Sequence, residues 1–237
     1  MKNQFERFEM LAGKDAVDKL KSSTVAIFGI GGVGGYVAEA LARSGVGNFV
    51  LVDNDTVSVT NLNRQIIALH SSIGKYKTEV MADRIRDINP NAQIEIKNTF
   101  FLPENSEQFD FNLYDYVADC IDTVTAKLEL IMRCREAGTP IISAMGAGGK
   151  LDPSRFEVED ISKTSVCPLC KVMRRELKAR GINHLKVVYS KEPPAKPQGI
   201  NSTLQSGSRH IPGSSAFCPS AAGLVMASEI VKDLTGI

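Results

Sequence analysis

Short apolar runs alternate with amphipathic stretches through the first 150 residues of the chain. The apolar runs, which we predict to be strands, lie at 25–28, 48–53, 93–97, 116–121 and 139–144. Apolar residues at helical spacing predict helices at 5–20, 36–44, 74–88 and 123–137. Alternation of this kind is typical of a sheet covered by helices on both faces. We therefore predict an α/β fold with a Rossmann-like, doubly wound and mostly parallel sheet.

The strand–helix alternation weakens after residue 150. Here the pattern predicts strands at 156–159 and 184–189, a basic helix at 169–179 and a final helix at 219–234. Residues 193–213 are rich in proline, glycine and serine, which predicts a mobile loop. The sequence therefore divides into a main domain at 1–150 and a smaller C-terminal extension at 151–237, which we expect to pack on the same domain.

A glycine cluster follows the first predicted strand directly. Gly29, Gly31 and Gly34 have the spacing of a dinucleotide-binding turn, and Gly32 stands between them. Such glycines permit a tight bend, close approach of a phosphate to the backbone, and close packing of the next helix. The N–H groups at the start of that helix face a bound phosphate. Asp53, 19 positions beyond Gly34, ends the second predicted strand, where an acid accepts hydrogen bonds from ribose.

The sequence then departs from that of a dehydrogenase. A polar connection carries Asp55, Asn61, Arg64 and Gln65, and Lys77 lies near the start of the next predicted helix. A helix dipole disfavours a cation at that end, and bound phosphate would offset the cost. A dehydrogenase has no evident use for these residues. An NAD-dependent oxidoreductase, a non-catalytic nucleotide sensor and a solvated lysine with no ligand remain the alternatives.

The composition is that of an ordinary globular protein, with 43% hydrophobic and 23% charged residues. No apolar run approaches the length of a membrane span, and the first residues lack the apolar stretch of a signal peptide. We therefore expect a cytoplasmic protein with no membrane partner. Five cysteines are an odd number, which favours free thiols or metal ligands over a disulfide framework in a reducing compartment.

The charge is unevenly distributed, although the net charge of the whole chain is only +1. Residues 171–196 contain eight basic and two acidic side chains, so this segment carries +6 and the remainder is acidic. A basic lobe of this kind indicates a polyanionic partner, and a solvated helix face is the alternative. The candidate contacts on the basic helix are Lys171, Arg174, Arg175 and Lys178.

Five ordered blocks make the chain resemble the ubiquitin-activating-like adenylating enzymes, which include the activators of the thiamine and molybdopterin sulfur carriers. The blocks are Gly29–Gly34, Val52–Asp55, Asn61–Gln65, Gly74–Lys77 and Asp119–Asp122. A second set, at 64–69, 84–90, 143–153, 160–164 and 217–223, is similar to the tRNA threonylcarbamoyladenosine dehydratase subgroup. The first resemblance covers about residues 5–150, and the second extends over most of the chain.

The resemblance implies that residues 1–150 form a nucleotide-binding, adenylating domain. ATP and a carboxylate would give an acyl-adenylate and pyrophosphate. In the dehydratase subgroup the carboxylate belongs to threonylcarbamoyladenosine in tRNA, and a nitrogen of the same modification then closes a ring with net loss of water. The alternative is adenylation of the C-terminal Gly-Gly of a ubiquitin-like sulfur-carrier protein, with a carrier or sulfur-transfer protein as partner.

The resemblance also implies roles for individual residues. Arg64 and Lys77 would grip phosphates, and Asp122 would hold Mg²⁺, a cation suited to carboxylate and phosphate oxygens. Asp53 would bind ribose, and Asn61 and Gln65 would orient the nucleotide. The implied nucleotide contacts are Gly29, Gly31, Gly32, Gly34, Asp53, Asp55, Asn61, Arg64, Gln65, Lys77 and Asp122.

Two features extend or depart from the family pattern. Relatives carry an arginine in the first helix that reaches the partner subunit's triphosphate. Arg7 matches it, which predicts a homodimer with shared sites.

Sulfur-carrier activators often hold zinc between two CxxC pairs. This chain has one such pair, Cys167 and Cys170, and Cys218 is a third candidate ligand. Three thiolates are incomplete for a closed zinc site, so buried, unliganded cysteines are the other interpretation.

Overall fold

The computed structural model describes residues 3–195 and 212–237 and has a single mixed sheet with helices on both faces. The helices are α1 (Glu6–Ala12), α2 (Lys14–Ser22), α3 (Gly34–Ser44), α4 (Lys77–Ile88), α5 (Val124–Ala137), α6 (Pro168–Ala179) and α7 (Phe217–Thr235). The strands are β1 (Thr24–Phe28), β2 (Asn48–Val52), β3 (Gln93–Lys97), β4 (Tyr116–Asp119), β5 (Ile141–Ala144), β6 (Phe156–Asp160) and β7 (Lys186–Ser190).

The strand order is β3-β2-β1-β4-β5-β7-β6. Every neighbouring pair is parallel except β6 and β7, which run antiparallel at the sheet edge. The order reverses between β1 and β4, which is the switch point where open α/β sheets bind ligands. The predicted fold class, a doubly wound and mostly parallel α/β sheet, is confirmed.

Alternating side chains of the central strands fill two separate apolar layers. Val25 and Ile27 of β1 pack with residues of α3, α4 and α7, whereas Ala26 and Phe28 face the opposite side. On that side Phe28 meets Phe101, with ring centroids 5.1 Å apart. This two-sided burial explains why the central strands appear in the sequence as continuous apolar runs.

The C-terminal part of the chain extends the same sheet. Strand β7 pairs with β5, and α7 packs beside α3 so closely that a Cβ on Gly223 would lie 2.5 Å from the carbonyl oxygen of Val33. Core residues of α7, such as Met226, belong to the same apolar layer as β1. Residues beyond 150 therefore share a core with the residues before them.

The first predicted helix differs from the structure. A single helix at 5–20 is wrong, because Gly13 adopts a left-handed φ of 89° and separates α1 from α2. The loop predicted at 193–213 falls largely on 196–211, outside the described residues. In the described part of the chain, no helix is both long and apolar enough to cross a membrane.

Candidate active site

The carboxyl ends of five parallel strands surround a cavity of about 470 Å³. The strand ends and loops at β3, β2, β1, β4 and β5 contribute to its wall residues 99–102, 53 and 55, 29 and 31–33, 120–123 and 144–148. Parallel strands bring all these loops to one edge of the sheet, which is why residues far apart in sequence converge here. The volume is in the range of small-molecule and cofactor sites.

The glycine turn forms the floor of the cavity beneath the start of α3. A Cβ on Gly34 would lie 1.8 Å from the carbonyl oxygen of Gly29, so only glycine permits this approach of helix and strand. A Cβ on Gly31 would meet only the Gln65 amide, at 3.8 Å, because Gly31 faces the open cavity. The N-terminal amides of α3 are therefore directed towards a space in which an anion would fit.

Asp53 follows β2 and is fixed by the backbone around it. Its carboxylate accepts hydrogen bonds from the amides of Ile30, at 2.7 Å, and Asp55, at 2.8 Å. Burial raises the pKa of Asp53, although the nearby charge of Lys77 and these amide donors oppose the shift. Asp53 thus joins β2 to the glycine turn. Its two carboxylate oxygens can still accept further hydrogen bonds from a molecule in the cavity.

Lys77 begins α4, and its ammonium is buried at the cavity wall. Its Nζ lies 2.5 Å from Oδ2 of Asp55 and 4.0 Å from Oδ1 of Asp53, while the residue is only 6% exposed. The backbone sets this position. The amide of Lys77 donates to the carbonyl of Asp55 at 3.0 Å, and Thr56 and Tyr76 form an isolated antiparallel β-bridge. The site therefore contains a buried cation between two carboxylates.

Three polar residues of the connection after β2 reach the cavity in different ways. Oε1 of Gln65 is buried and has no hydrogen-bond partner within 3–195 and 212–237, which is an unmet requirement that a ligand donor would satisfy. Arg64 lines the cavity, and its guanidinium donates to the carbonyl of Thr60 at 2.9 Å. Oδ1 of Asn61 accepts from the amide of Ser58 at 3.0 Å, so Asn61 also closes a local turn.

Asp122 lies in the loop after β4 with its carboxylate exposed at the cavity. Thr123 donates to it at 3.3 Å, and no lysine or arginine among the residues described pairs with it. An unpaired carboxylate at the cavity has the chemistry that Mg²⁺ requires, because proteins bind this ion through one or two carboxylates together with substrate phosphates. Burial, an unpartnered amide and an unpaired carboxylate together make the cavity compatible with Mg²⁺ and ATP.

The remaining predicted residues lie outside the cavity. Arg7 is exposed on α1 and is absent from the cavity wall of its own chain. On α6, Lys171 and Lys178 are exposed, and Arg175 pairs with Glu176. Arg174 differs from them: its guanidinium donates to the hydroxyl of Thr164 at 2.7 Å, as well as to neighbouring carbonyls, and braces the loop before α6.

The cysteine pair is buried at the start of α6. Hydrogen bonds from the Cys170 thiol and from nearby amides lower the pKa of Cys167, and the same contact raises the pKa of Cys170. In the part of the chain that the structure covers, no three His, Cys, Asp or Glu side chains are grouped as metal ligands. Cys218 is buried in a different apolar cluster from Cys167 and Cys170, so the three thiols are not grouped in the described structure.

Sequence reasoning missed two kinds of residue near the cavity. Phe100 and Leu102, in the loop after β3, line it while remaining 57% and 39% exposed, and they offer an apolar wall for a nucleobase. Their position directly after a strand was the available signal, but no local pattern marks them. Below the cavity, Lys127 of α5 is fully buried against Asp119 of β4, a contact that connects distant segments.

Comparison with known proteins agrees with this geometry. The model of the ThiF family matches residues 3–237. The tRNA threonylcarbamoyladenosine dehydratase of Bacillus subtilis is 44% identical over 243 residues, which cover 99% of this chain and 95% of that protein. The crystal structure of the Escherichia coli tRNA N6-threonylcarbamoyladenosine dehydratase in complex with ATP has a TM-score of 0.89 and 36% identity, covering 98% and 94% of the two chains. The Escherichia coli molybdopterin-synthase adenylyltransferase is 36% identical over 135 residues, 54% of this chain and 51% of that protein.

Replacing Lys77 by methionine tests the charge arrangement. Because burial raises the pKa of Asp53, the folded state binds a proton there more readily than the unfolded state. Proton binding at Asp53 therefore adds to the free energy of unfolding. This contribution is fully present below the ordinary aspartate pKa of the unfolded chain and is lost as the pH rises through the higher pKa of the folded protein. Lys77→Met removes the main opposing charge and raises the pKa of Asp53 further. We predict that the free energy of unfolding falls by about 1–3 kcal/mol at pH 7. This loss should shrink at lower pH, because protonation of Asp53 removes the charge that Lys77 would have paired.

Urea unfolding of both proteins between pH 4 and 8 measures this difference. Lys75→Met is the matched control, since Lys75 is exposed two residues before Lys77 and its replacement should change stability little at any pH. A loss for Lys77→Met that is independent of pH, or no larger than that of the control, would contradict the assignment of Lys77 as the counter-charge of Asp53.

Proposed function

The chain belongs to the ThiF family, and we propose that it catalyses the ATP-dependent dehydration of threonylcarbamoyladenosine in tRNA through an acyl-adenylate. The observation that carries this proposal is the extent of the similarity to the dehydratases, which reaches 99% of this chain and 95% of the Bacillus subtilis enzyme. This similarity includes the C-terminal extension. In addition, the cavity has the charged residues that adenylation requires.

The same extent argues against a sulfur-carrier activator. The similarity to the molybdopterin-synthase adenylyltransferase covers 54% of this chain and 51% of that protein, so almost half of each chain is unmatched. The described residues also lack a cluster of thiolates suited to zinc. Adenylation of a carrier protein is therefore the second candidate, and substrate choice decides between them.

In the first step the substrate carboxylate attacks the α-phosphorus of ATP and displaces pyrophosphate. Negative charge builds up on the phosphate oxygens, so preorganised cations and amides stabilise the transition state. Arg64, Lys77 and the amides at the start of α3 are the groups of this chain in position to do so. Asp122 would hold Mg²⁺, which supplies further charge neutralisation on the phosphates.

The buried Lys77 is suited to this step because its present partner is replaceable. Asp55 is 54% exposed at its side chain, whereas Asp53 is 10% exposed and held by two amides. When the phosphates enter, the ammonium can leave the solvated Asp55 for a phosphate oxygen and keep Asp53 beside it. Asp53 then retains an acceptor for ribose, and Phe100 offers its ring to the base.

In the second step a nitrogen of the modified nucleoside attacks the activated carbonyl, a ring closes and AMP leaves. The carbon–oxygen bond to AMP breaks as the carbon–nitrogen bond forms, and the attacking nitrogen releases its proton. The nucleoside thus loses the elements of one water: one carboxylate oxygen leaves with AMP, and the hydrogen leaves as a proton. Apolar side chains at the cavity mouth, Phe100 and Leu102 among them, reduce the water available to hydrolyse the adenylate.

The tRNA backbone would follow α6. Leu169 of α6 lines the cavity, so this helix begins beside the reaction site and carries its basic side chains away from it. A helix of 12 residues extends about 18 Å, enough to contact several phosphates. The proposal assigns phosphate contacts to Lys171, Arg175 and Lys178, because the guanidinium of Arg174 is engaged within the protein. A tRNA substrate implies a cytoplasmic protein.

A homodimer with shared sites would explain both the exposed apolar residues of α1 and the position of Arg7 on it. Met10 and Leu11 on this helix are 80% and 84% exposed, which is a cost that a second chain covering the helix would remove. Arg7 lies on the same short helix and would then reach the triphosphate of the other subunit. The proposal thus explains why a residue expected at the phosphates is absent from the cavity of its own chain.

The direct test offers the enzyme ATP, Mg²⁺ and tRNA that carries threonylcarbamoyladenosine. We predict release of AMP and pyrophosphate and a modified nucleoside lighter by one water, detected by mass spectrometry after digestion of the tRNA. Asp122→Asn removes the carboxylate charge that binds Mg²⁺ and should lower the rate about 100-fold or more with the fold intact. The control tRNA lacks the threonylcarbamoyl group and should give no pyrophosphate.

Pyrophosphate exchange with a carrier protein ending in Gly-Gly, and none with the modified tRNA, would overturn the proposal in favour of the second candidate. Thermal stabilisation by NAD but not by ATP with Mg²⁺ would reject adenylation altogether.

Mixing two inactive variants tests the role of Arg7. If Arg7 acts on the partner's site, an Arg7→Ala chain and an Asp122→Ala chain together form one intact site in each mixed dimer. Random association of equal amounts then restores about one quarter of the wild-type activity. Two Arg7→Ala chains alone, or two Asp122→Ala chains alone, stay inactive. No recovery from a mixture whose mixed dimers are demonstrated by mass spectrometry would exclude a shared site.

A further inference from the structure

Three fully buried polar groups meet directly beneath the cavity. Nζ of Lys127 lies 2.9 Å from Oδ2 of Asp119 and 3.2 Å from Oγ of Ser143, and Ser143 donates to the same carboxylate oxygen at 2.5 Å. The side chains of Lys127 and Asp119 have no exposed surface, nor does Ser143. The three residues come from α5, β4 and β5, so the cluster joins three separate elements.

Burying this ion pair brings little stability relative to an apolar core. Transfer of both charges out of water costs about as much as their attraction returns, and well-packed apolar residues of similar volume often stabilise a protein equally well. Lysine and aspartate are also rarely buried completely. A stabilising contribution to folding therefore does not explain why this ion pair is buried, whereas a role in positioning neighbouring groups would.

Both residues of the pair are hydrogen-bonded to the loop that carries Asp122. The second carboxylate oxygen of Asp119, Oδ1, accepts from the amide of Ile121 at 3.2 Å. At the other end of the loop, the amide of Lys127 donates to the carbonyl of Thr123 at 3.0 Å. Residues 120–123 all line the cavity, whereas the three buried residues do not.

The position of this loop matters because it packs on the glycine turn. A Cβ on Gly29 would lie 2.8 Å from the carbonyl oxygen of Cys120, so the two segments have no space between them. A shift of the loop would move both Asp122 and the turn beneath the phosphates. Within the described chain, one side-chain hydrogen bond reaches the Asp122 carboxylate, from its neighbour Thr123, so the side chain itself is held only weakly.

We propose that Lys127 and Ser143 are positioning residues: they hold the Asp119 carboxylate, and this carboxylate fixes the 120–123 loop so that Asp122 faces the Mg²⁺ and phosphates of ATP. The role of Asp122 in this inference rests on the proposed function. The juxtaposition itself, a buried cation acting through a carboxylate on one backbone amide, is independent of which carboxylate substrate is adenylated.

Two double variants separate positioning from charge burial. Lys127→Met with Asp119→Leu and Lys127→Met with Asp119→Asn remove the same two charges, but only the second keeps an acceptor for the Ile121 amide. We expect the leucine variant to exchange the amides of 121–123 faster in the protein without substrate. Its half-saturating Mg²⁺ concentration should rise about 10-fold or more, and kcat should fall about 10- to 100-fold with KM for tRNA little changed. The asparagine variant keeps the acceptor but loses the Lys127 contact that holds it in place, so its changes should have the same sign and be several-fold smaller than those of the leucine variant.

Tyr116→Phe is the control for a lost buried hydrogen bond. Tyr116 donates to Asp233 at 2.6 Å at the opposite end of β4, so this variant should lose stability and keep wild-type kinetics and exchange at 121–123. Should the leucine variant fail to fold, Ser143→Ala removes one donor to Asp119 and should produce smaller changes of the same sign.

A folded leucine variant with wild-type exchange and Mg²⁺ dependence would overturn the inference, as would equal losses in the leucine and asparagine variants. Amide exchange is measured without substrate, so faster exchange at 121–123 would stand even if tRNA proved not to be the substrate. In that case the proposed function would fail and the positioning role would remain.

Discussion

The site depends on one contact that leaves no room for a side chain. At Gly34 the backbone of α3 approaches the carbonyl oxygen of Gly29 so closely that a Cβ would lie 1.8 Å from it. This approach aims the first amides of α3 at the cavity and draws the loop after β4 against the turn. A substitution at Gly34 would therefore displace the helix, the turn and the Asp122 loop together.

Around this contact the charges suit a triphosphate that binds together with added cations. Lys77 is buried between Asp53 and Asp55, and Asp122 has no basic partner among the described residues. Two carboxylates around one ammonium leave an excess of negative charge, so a triphosphate can bind only with added cations. Arg64 and Mg²⁺ supply them in the proposed reaction, and an arginine from a second subunit would complete the set.

Much of this could be predicted from the sequence, because the governing rules are local. The Gly29–Gly34 spacing, the acid at the end of β2 and the apolar runs predicted the sheet and the place of the cavity. Helix α1 ends at Gly13 because a left-handed φ breaks the hydrogen-bond ladder, and the periodicity of neighbouring residues did not reveal this. The burial of Lys127 and the inward turn of Arg174 depend on tertiary contacts, which no spacing encodes.

The central claim is that the carboxyl edge of the sheet binds a triphosphate above the start of α3. A crystal structure with a non-hydrolysable ATP analogue and Mg²⁺ tests it most directly. The account predicts phosphates on the amides after Gly31, Nζ of Lys77 on a phosphate oxygen and the metal ion on Asp122. A nucleotide bound elsewhere, or one whose phosphates point away from α3 with Lys77 still on Asp55, would contradict it.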